Sequence, residues 1–210
     1  MKNNLFIISK NGYKYIAYAL FIGVIFGVLD LEFFSLLSFL AALFFVYSFR
    51  NPEREVAFLD DKAVVFPVDG IVKAIDEVKE GEYAYKIVIE SNYMNVGVLR
   101  SPLSGHLEST KIFRGARISK KSKLFYDLNE NTELIFVDGY NNRVKVVHRL
   151  KQSFAPVAVD VFNKEKVQKG TRYGYAINSV SELYLPENFR LNVKLGNETQ
   201  AANTLIGYFS

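Results

Sequence analysis

Two uncharged apolar runs dominate the first fifty residues, Tyr15 to Leu29 and Phe33 to Phe49, with only Asp30, Leu31 and Glu32 between them. An aspartate at the centre of a bilayer-spanning helix costs about 3 kcal/mol, so the two acids mark a turn rather than the middle of one long span. The pattern predicts an N-terminal domain over residues 1–50, a transmembrane α-helical hairpin with helices at about 15–29 and 33–49. Each run is shorter than the roughly 20 residues that cross a full hydrocarbon core. Tyr13, Tyr15 and Tyr47 would extend the reach through the interface. Lys2, Lys10 and Lys14 precede the first run, and Arg50 and Arg54 follow the second. The positive-inside rule then places both ends in the cytoplasm, with the hairpin in the plasma (inner) membrane and the main domain cytoplasmic. No small-residue cleavage site precedes the second run, so the hairpin is expected to be retained.

From Pro52 onward the hydrophobic period changes. Ala63 to Phe66, Lys86 to Glu90, Glu133 to Val137, Arg143 to His148 and Val157 to Phe162 are short runs rich in β-branched and aromatic residues, punctuated by glycine, asparagine and aspartate. Asp138-Gly139 and Asn141-Asn142 mark a turn between two of these strands. The fold class is therefore mainly β, with residues 51–210 expected to form a barrel-sandwich-like domain. Pro67-Val68-Asp69-Gly70-Ile71 and Pro102-Leu103-Ser104-Gly105-His106-Leu107 share a Pro-x-x-Gly pattern that resembles turns of biotinyl- and lipoyl-type domains. The plainer account is repeated tight turns in which glycine supplies positive φ. No lysine stands at an obvious hairpin tip, which disfavours a carrier module.

Composition removes several chemistries. The chain has no cysteine, so disulfides, thiolate metal sites and a cysteine nucleophile are excluded. Two histidines, His106 and His148, do not make a multi-histidine metal centre. A scattered net charge of +4 does not describe a nucleic-acid surface. Arg114, Arg117, Lys120, Lys121 and Lys123 crowd one short stretch, which reads either as a solvated basic loop or as a contact for anionic lipid. His148, beside Arg149 on an expected strand, reads as structural or surface-facing.

Five segments then recur in a telling order. Phe49-Arg50-Asn51-Pro52-Glu53-Arg54 is similar to FFRDPER, and Val64-Val65-Phe66-Pro67-Val68-Asp69-Gly70-Ile71-Val72 to VVSPADGxV. Val98-Leu99-Arg100-Ser101-Pro102-Leu103-Ser104-Gly105 is similar to VNRAPVSG. Lys169 to Gly174, with Glu182-Leu183-Tyr184-Leu185-Pro186, resembles a segment bearing a self-cleavage serine, and Val193 to Gly207 a closing VKVGDKVxAGET stretch. Together they resemble the short-form phosphatidylserine decarboxylase proenzymes over nearly the whole chain.

The resemblance implies a pyruvoyl enzyme of phospholipid biosynthesis, converting phosphatidylserine to phosphatidylethanolamine. A serine hydroxyl attacks the preceding carbonyl, the peptide becomes an ester, and β-elimination leaves an N-terminal pyruvoyl group that acts as an electron sink. Counting back from Leu183-Tyr184-Leu185-Pro186 places the family's Gly-Ser on Asn178-Ser179, with Ser181 as the fallback. Asparagine is the non-glycine residue best suited to a left-handed turn. The resemblance makes Arg100 a candidate for the substrate carboxylate or phosphate.

The family's D-V-H-V-N-R-x-P falls on Asn95-Val96-Gly97-Val98-Leu99-Arg100-Ser101-Pro102. Asn95 replaces the aspartate, Gly97 the histidine expected to take the serine's proton, and Leu99 the asparagine. The paired arginines of a QIAGxxARRI segment are absent from His148 to Val157. His106, in a turn near the altered motif, is the candidate substitute base. The alternative function is a catalytically degenerate relative, unprocessed and acting as a lipid-binding or regulatory membrane protein. With no histidine in the family position, most of the protein is expected to remain one uncut chain. Either reading implies membrane phospholipid as partner, no nucleic acid and no metal. An oligomeric state stays open.

Overall fold

The computed structural model describes residues 7–58 and 60–210. The chain forms two compact units, a helical one within residues 4–53 and a β-rich one built from residues 54–210. Lys2, used in the orientation expectation, lies outside the described residues.

The helical unit is a hairpin of α1 (Tyr13–Val28) and α2 (Glu32–Ser48). Asp30 closes the turn in the left-handed region, φ 56°, as a short polar side chain can. Tyr15 packs near Phe45 and Phe49 at one end and Phe26 near Phe34 at the other, so the helices run antiparallel. The Ser35 hydroxyl donates to the Gly23 carbonyl across the pair, 2.9 Å. A bridge between Ile8 and Arg50 ties the two chain ends of the hairpin together. Helices of 16 and 17 residues are about 24 and 26 Å long, against about 30 Å of hydrocarbon. Among the described residues no helix is long and apolar enough to cross a membrane, so the expected hairpin is present as helices without a full-length span.

The β unit begins with β1 (Ala63–Val65), β2 (Gly70–Glu80), β3 (Tyr83–Glu90), β4 (Val98–Arg100) and β5 (Gly105–Phe113). A single helical turn, α3 (Phe125–Leu128), precedes β6 (Asn131–Val137), β7 (Arg143–Leu150), β8 (Ala158–Val159) and β9 (Lys166–Val167). β10 (Arg172–Tyr175), β11 (Ser179–Pro186), β12 (Phe189–Leu191), β13 (Glu198–Thr199) and β14 (Leu205–Phe209) complete the chain. The main sheet has eight strands in the order β13-β2-β3-β11-β7-β6-β5-β9 and curls into a half-barrel. Two three-stranded sheets, β1-β14-β12 and β4-β10-β8, accompany it. The mainly β expectation holds. The run expected over Val157–Phe162 shrinks to the two residues of β8.

Alternation places the core. On β7, Val144, Val146, His148 and Leu150 are fully buried on one face, and on β11 so are Ser179, Ser181, Leu183 and Leu185. The apolar members join Ile87, Ile89, Leu107, Leu134 and Phe136 in one cluster, whose burial removes apolar surface from water. Between β6 and β7 the expected turn is formed. Asp138 Oδ1 accepts the N–H groups of Tyr140 and Asn142 at 2.8 Å, and Asn141 takes φ 67°. Gly70 of the Pro-x-x-Gly repeats takes no positive φ, whereas Gly105 does, at 159°. A Cβ there would lie 2.6 Å from the Glu90 carbonyl oxygen and 1.9 Å from that of Val137, so they are glycine because two strands approach closely.

Candidate active site

β11 is the central strand of the sheet, paired with β3 on one side and β7 on the other, and its first residue is Ser179. Asn178 stands before it at φ 52°, in the left-handed region. Three contacts hold this kink. The Asn178 carbonyl accepts from Lys151 N–H at 2.9 Å, its Nδ2 donates to the Gln152 carbonyl at 2.8 Å, and the Ser179 carbonyl accepts from Ser91 N–H at 2.9 Å. The Ser179 hydroxyl is buried and has no hydrogen-bond partner among the described residues. Buried hydroxyls are ordinarily satisfied, so an unpaired one beside a left-handed residue marks this bond as unusual.

Ser181, the fallback nucleophile, sits two residues along on the same face. Its Oγ is 2.7 Å from His148 Nδ1, and His148 Nε2 is 2.6 Å from the Tyr173 hydroxyl. Burial pushes His148 down to about 3 and lifts Tyr173 well above its ordinary value, so both are neutral across the physiological range. The surface-facing option for His148 is thereby overturned. Counting by twos from Val144 and Val146 leads to His148, and that period-2 signal was available in the sequence. His106 pairs with Val137 and Lys166, on β5, while β7 and β6 lie between β5 and β11. Three strand spacings of about 4.8 Å separate β5 from β11. His106 is also at the opposite end of the β5–β6 ladder from the row continuing Ser179 and Leu150. The structure does not bring His106 to Ser179.

The altered motif does come close. The Gly97 carbonyl accepts from Ala176 N–H at 2.8 Å, three residues before Ser179. A Cβ on Gly97 would lie 2.7 Å from Cζ and 2.9 Å from the hydroxyl of Tyr175. The space that an imidazole would use here is filled by a buried phenol ring. Asn95 serves its own loop, its Oδ1 accepting from Asn92 N–H at 2.8 Å, and Leu99 belongs to the core. Arg100 is buried and donates to the Gly170 carbonyl at 3.0 Å, pairing along β4 with Arg172 rather than facing Asn178.

A cavity of about 420 Å³ opens beside the bond, lined by Glu90, Ser119, Lys120, Lys121, Lys151, Gln152 and Asn178. Glu90 accepts from Lys120 at 2.7 Å and Lys151 at 2.9 Å. Burial alone would raise Glu90, but the two ammonium hydrogen bonds outweigh it and hold the carboxyl at about 2. The basic stretch is thus divided. Arg114 and Arg117 both pair with Glu130, which is 1% exposed, and serve the interior, while Lys120 and Lys121 line the cavity. Lys151 and Glu90 were missed because only β-sheet pairing brings them beside Asn178. Among the described residues no cluster of histidine and carboxylate could hold a metal.

A buried hydroxyl that follows a left-handed residue at the head of a central strand thus stands beside a charged cavity. The family described as phosphatidylserine decarboxylase matches residues 41–207. The phosphatidylserine decarboxylase proenzyme of Geobacter metallireducens is 31% identical over 216 residues, covering 99% of each chain. That of Geotalea uraniireducens is 29% identical, again over 99% of each, and that of Pelobacter propionicus 32% identical over 83% of this chain and 80% of its own. The chain belongs to the phosphatidylserine decarboxylase family.

Proposed function

We propose that the chain cleaves itself between Asn178 and Ser179 and then decarboxylates phosphatidylserine to phosphatidylethanolamine. The observation that carries this reading is the unpaired, buried Ser179 hydroxyl directly after a left-handed asparagine. The hydroxyl adds to the Asn178 carbonyl carbon, the C–N bond breaks, and the Ser179 nitrogen takes the proton. Loss of the Ser179 α-proton then expels the Asn178 carboxylate, and water releases ammonia from the remaining imine to leave a pyruvoyl group on residue 179. Proximity and the strained link favour the first step. Position 97 carries no imidazole, so processing is slow. His148, on the same side of the sheet, does not take over the proton-accepting role, because its ring nitrogens meet the Ser181 and Tyr173 hydroxyls and burial holds it at about 3.

The pyruvoyl group supplies an electron sink for carboxylate loss. The chain's residues do the binding. Lys120 and Lys151 suit the phosphate and carboxylate of a serine phospholipid, and Glu90, ionised between them, suits its ammonium. The helical hairpin seats the protein in the inner membrane with both ends cytoplasmic, a reading supported by apolar side chains such as Tyr18, Phe21, Phe33 and Leu36 exposed on both helices. Single-cysteine labelling in this cysteine-free chain tests it, and labelling of the β unit from the periplasmic side contradicts it.

The catalytic test supplies purified protein with phosphatidylserine and measures carbon dioxide and ethanolamine lipid. Turnover that disappears in Ser179→Ala and persists in His106→Ala is expected. Absence of turnover in the fully processed protein would leave the lipid-binding relative as the better description.

A further inference from the structure

The segment after the cavity wall carries an unusual surface. Leu124, Tyr126 and Leu128 are 52%, 49% and 45% exposed, and Ile112 and Phe113 at the end of β5 are exposed as well. Phe113 and the Leu128 carbonyl both pack against Gly115, so the two groups of apolar side chains are neighbours. This surface is held firmly. Phe125 is fully buried against Val88 and Val180, the latter adjoining Ser179. Asn129 clamps the base of the loop, its Nδ2 donating to the Ile118 and Leu150 carbonyls at 2.9 and 2.7 Å while its Oδ1 accepts from Ile118 N–H. Lys121 and Lys123 are exposed alongside, and Lys121 also lines the cavity at Asn178.

We propose that residues 112–128 form a lip that docks on an anionic phospholipid bilayer and feeds a lipid headgroup directly into the cavity at Asn178. The inference rests on the reading that the substrate is a phospholipid, and it adds the surface through which that substrate arrives. Two observations select a bilayer as the occupant. Exposed leucine and tyrosine beside lysine is the chemistry of an interfacial surface, apolar groups entering the acyl boundary while ammonium groups meet phosphate. The same lysine row also runs into the cavity, so a headgroup held there leaves its acyl chains at the lip.

The chain has no tryptophan, which makes a single introduced indole a site-specific depth probe. Full-length Tyr126→Trp and Leu124→Trp would be reconstituted with phosphatidylglycerol-containing vesicles carrying brominated acyl chains. Tyr140→Trp, on the exposed β6–β7 turn, is the reference. The lip indoles are expected to shift to the blue and to be quenched about threefold more than the reference, matching a surface buried 5–10 Å into the boundary. Adding Lys121→Glu and Lys123→Glu should bring the quenching down to the reference level. Equal quenching at all three positions overturns the lip, as does a lip signal that ignores the charge reversal. The readout needs no turnover. A lip that docks in a chain without decarboxylase activity defeats the proposed reaction alone, and turnover without preferential quenching defeats the lip alone.

Discussion

Two stretches meet near the start of β11, and they have diverged differently from the family pattern. At Asn178-Ser179 the glycine of the family is replaced, yet asparagine takes φ 52° and the hydroxyl remains buried and unpaired. At Asn95-Leu99 the replacements have been repacked, with Tyr175 over Gly97, Leu99 in the core and Asn95 turned to its own loop. The first change preserves a backbone requirement. On the proposed reading the second removes a proton acceptor, and Tyr175 stands in the space beside Gly97. If the chain cleaves itself as proposed, the backbone geometry at the cut and the base that speeds it are separable properties of this site.

The sharpest way to break that comparison is Gly97→His. Restoring the family residue should destabilise the protein by about 3 kcal/mol, because the side chain is forced against Tyr175 in a packed interior. Gly97→His with Tyr175→Ala should recover most of it in denaturant unfolding. A fully stable single variant would show that the space was never closed.

A second prediction concerns His148. Its folded value of about 3 lies below the ordinary 6.5, so on acidification the unfolded chain takes up the proton first. Stability is fully present above about 6.5 and falls by about 1.4 kcal/mol per pH unit as pH drops toward 3. His148→Gln should flatten this slope in thermal melts between pH 6.5 and 4. An unchanged slope would mean that the ring is protonated in the fold.

Asn178→Val should slow self-cleavage about tenfold, since a β-branched residue resists the left-handed region by roughly 1–2 kcal/mol. Asn178→Gly should leave it near the starting rate. Equal rates for the two would remove the backbone from the account. The smallest effect is expected at the cavity. Glu90 is held at about 2, below the ordinary 4.5, so its contribution is present above 4.5 and lost as pH falls through 2. Glu90→Gln should therefore differ from the parent in melting temperature at pH 6 and converge with it at pH 2.

Much of this was legible in local patterns. Two apolar runs parted by acids gave the hairpin, Asp138 to Asn142 the turn, and an asparagine before serine the left-handed link. What stayed hidden depended on pairing across distance. Arg114 and Lys120 look alike in sequence, but one meets Glu130 inside the fold and the other Glu90 at the cavity. His106 is nearer the altered motif in sequence than His148, but β7 lies beside β11 and β5 two strands further out. Val157 to Phe162 reads as a strand, yet only Ala158 and Val159 find a partner edge, in β10.

The most direct test of the central claim is the intact mass of the purified full-length protein, followed over hours of incubation. The account predicts a growing pair of products, one ending at Asn178 and one a pyruvoyl-blocked chain of residues 179–210, both missing in Ser179→Ala. A single 210-residue mass that persists unchanged, with Ser179 recovered as serine, would contradict it.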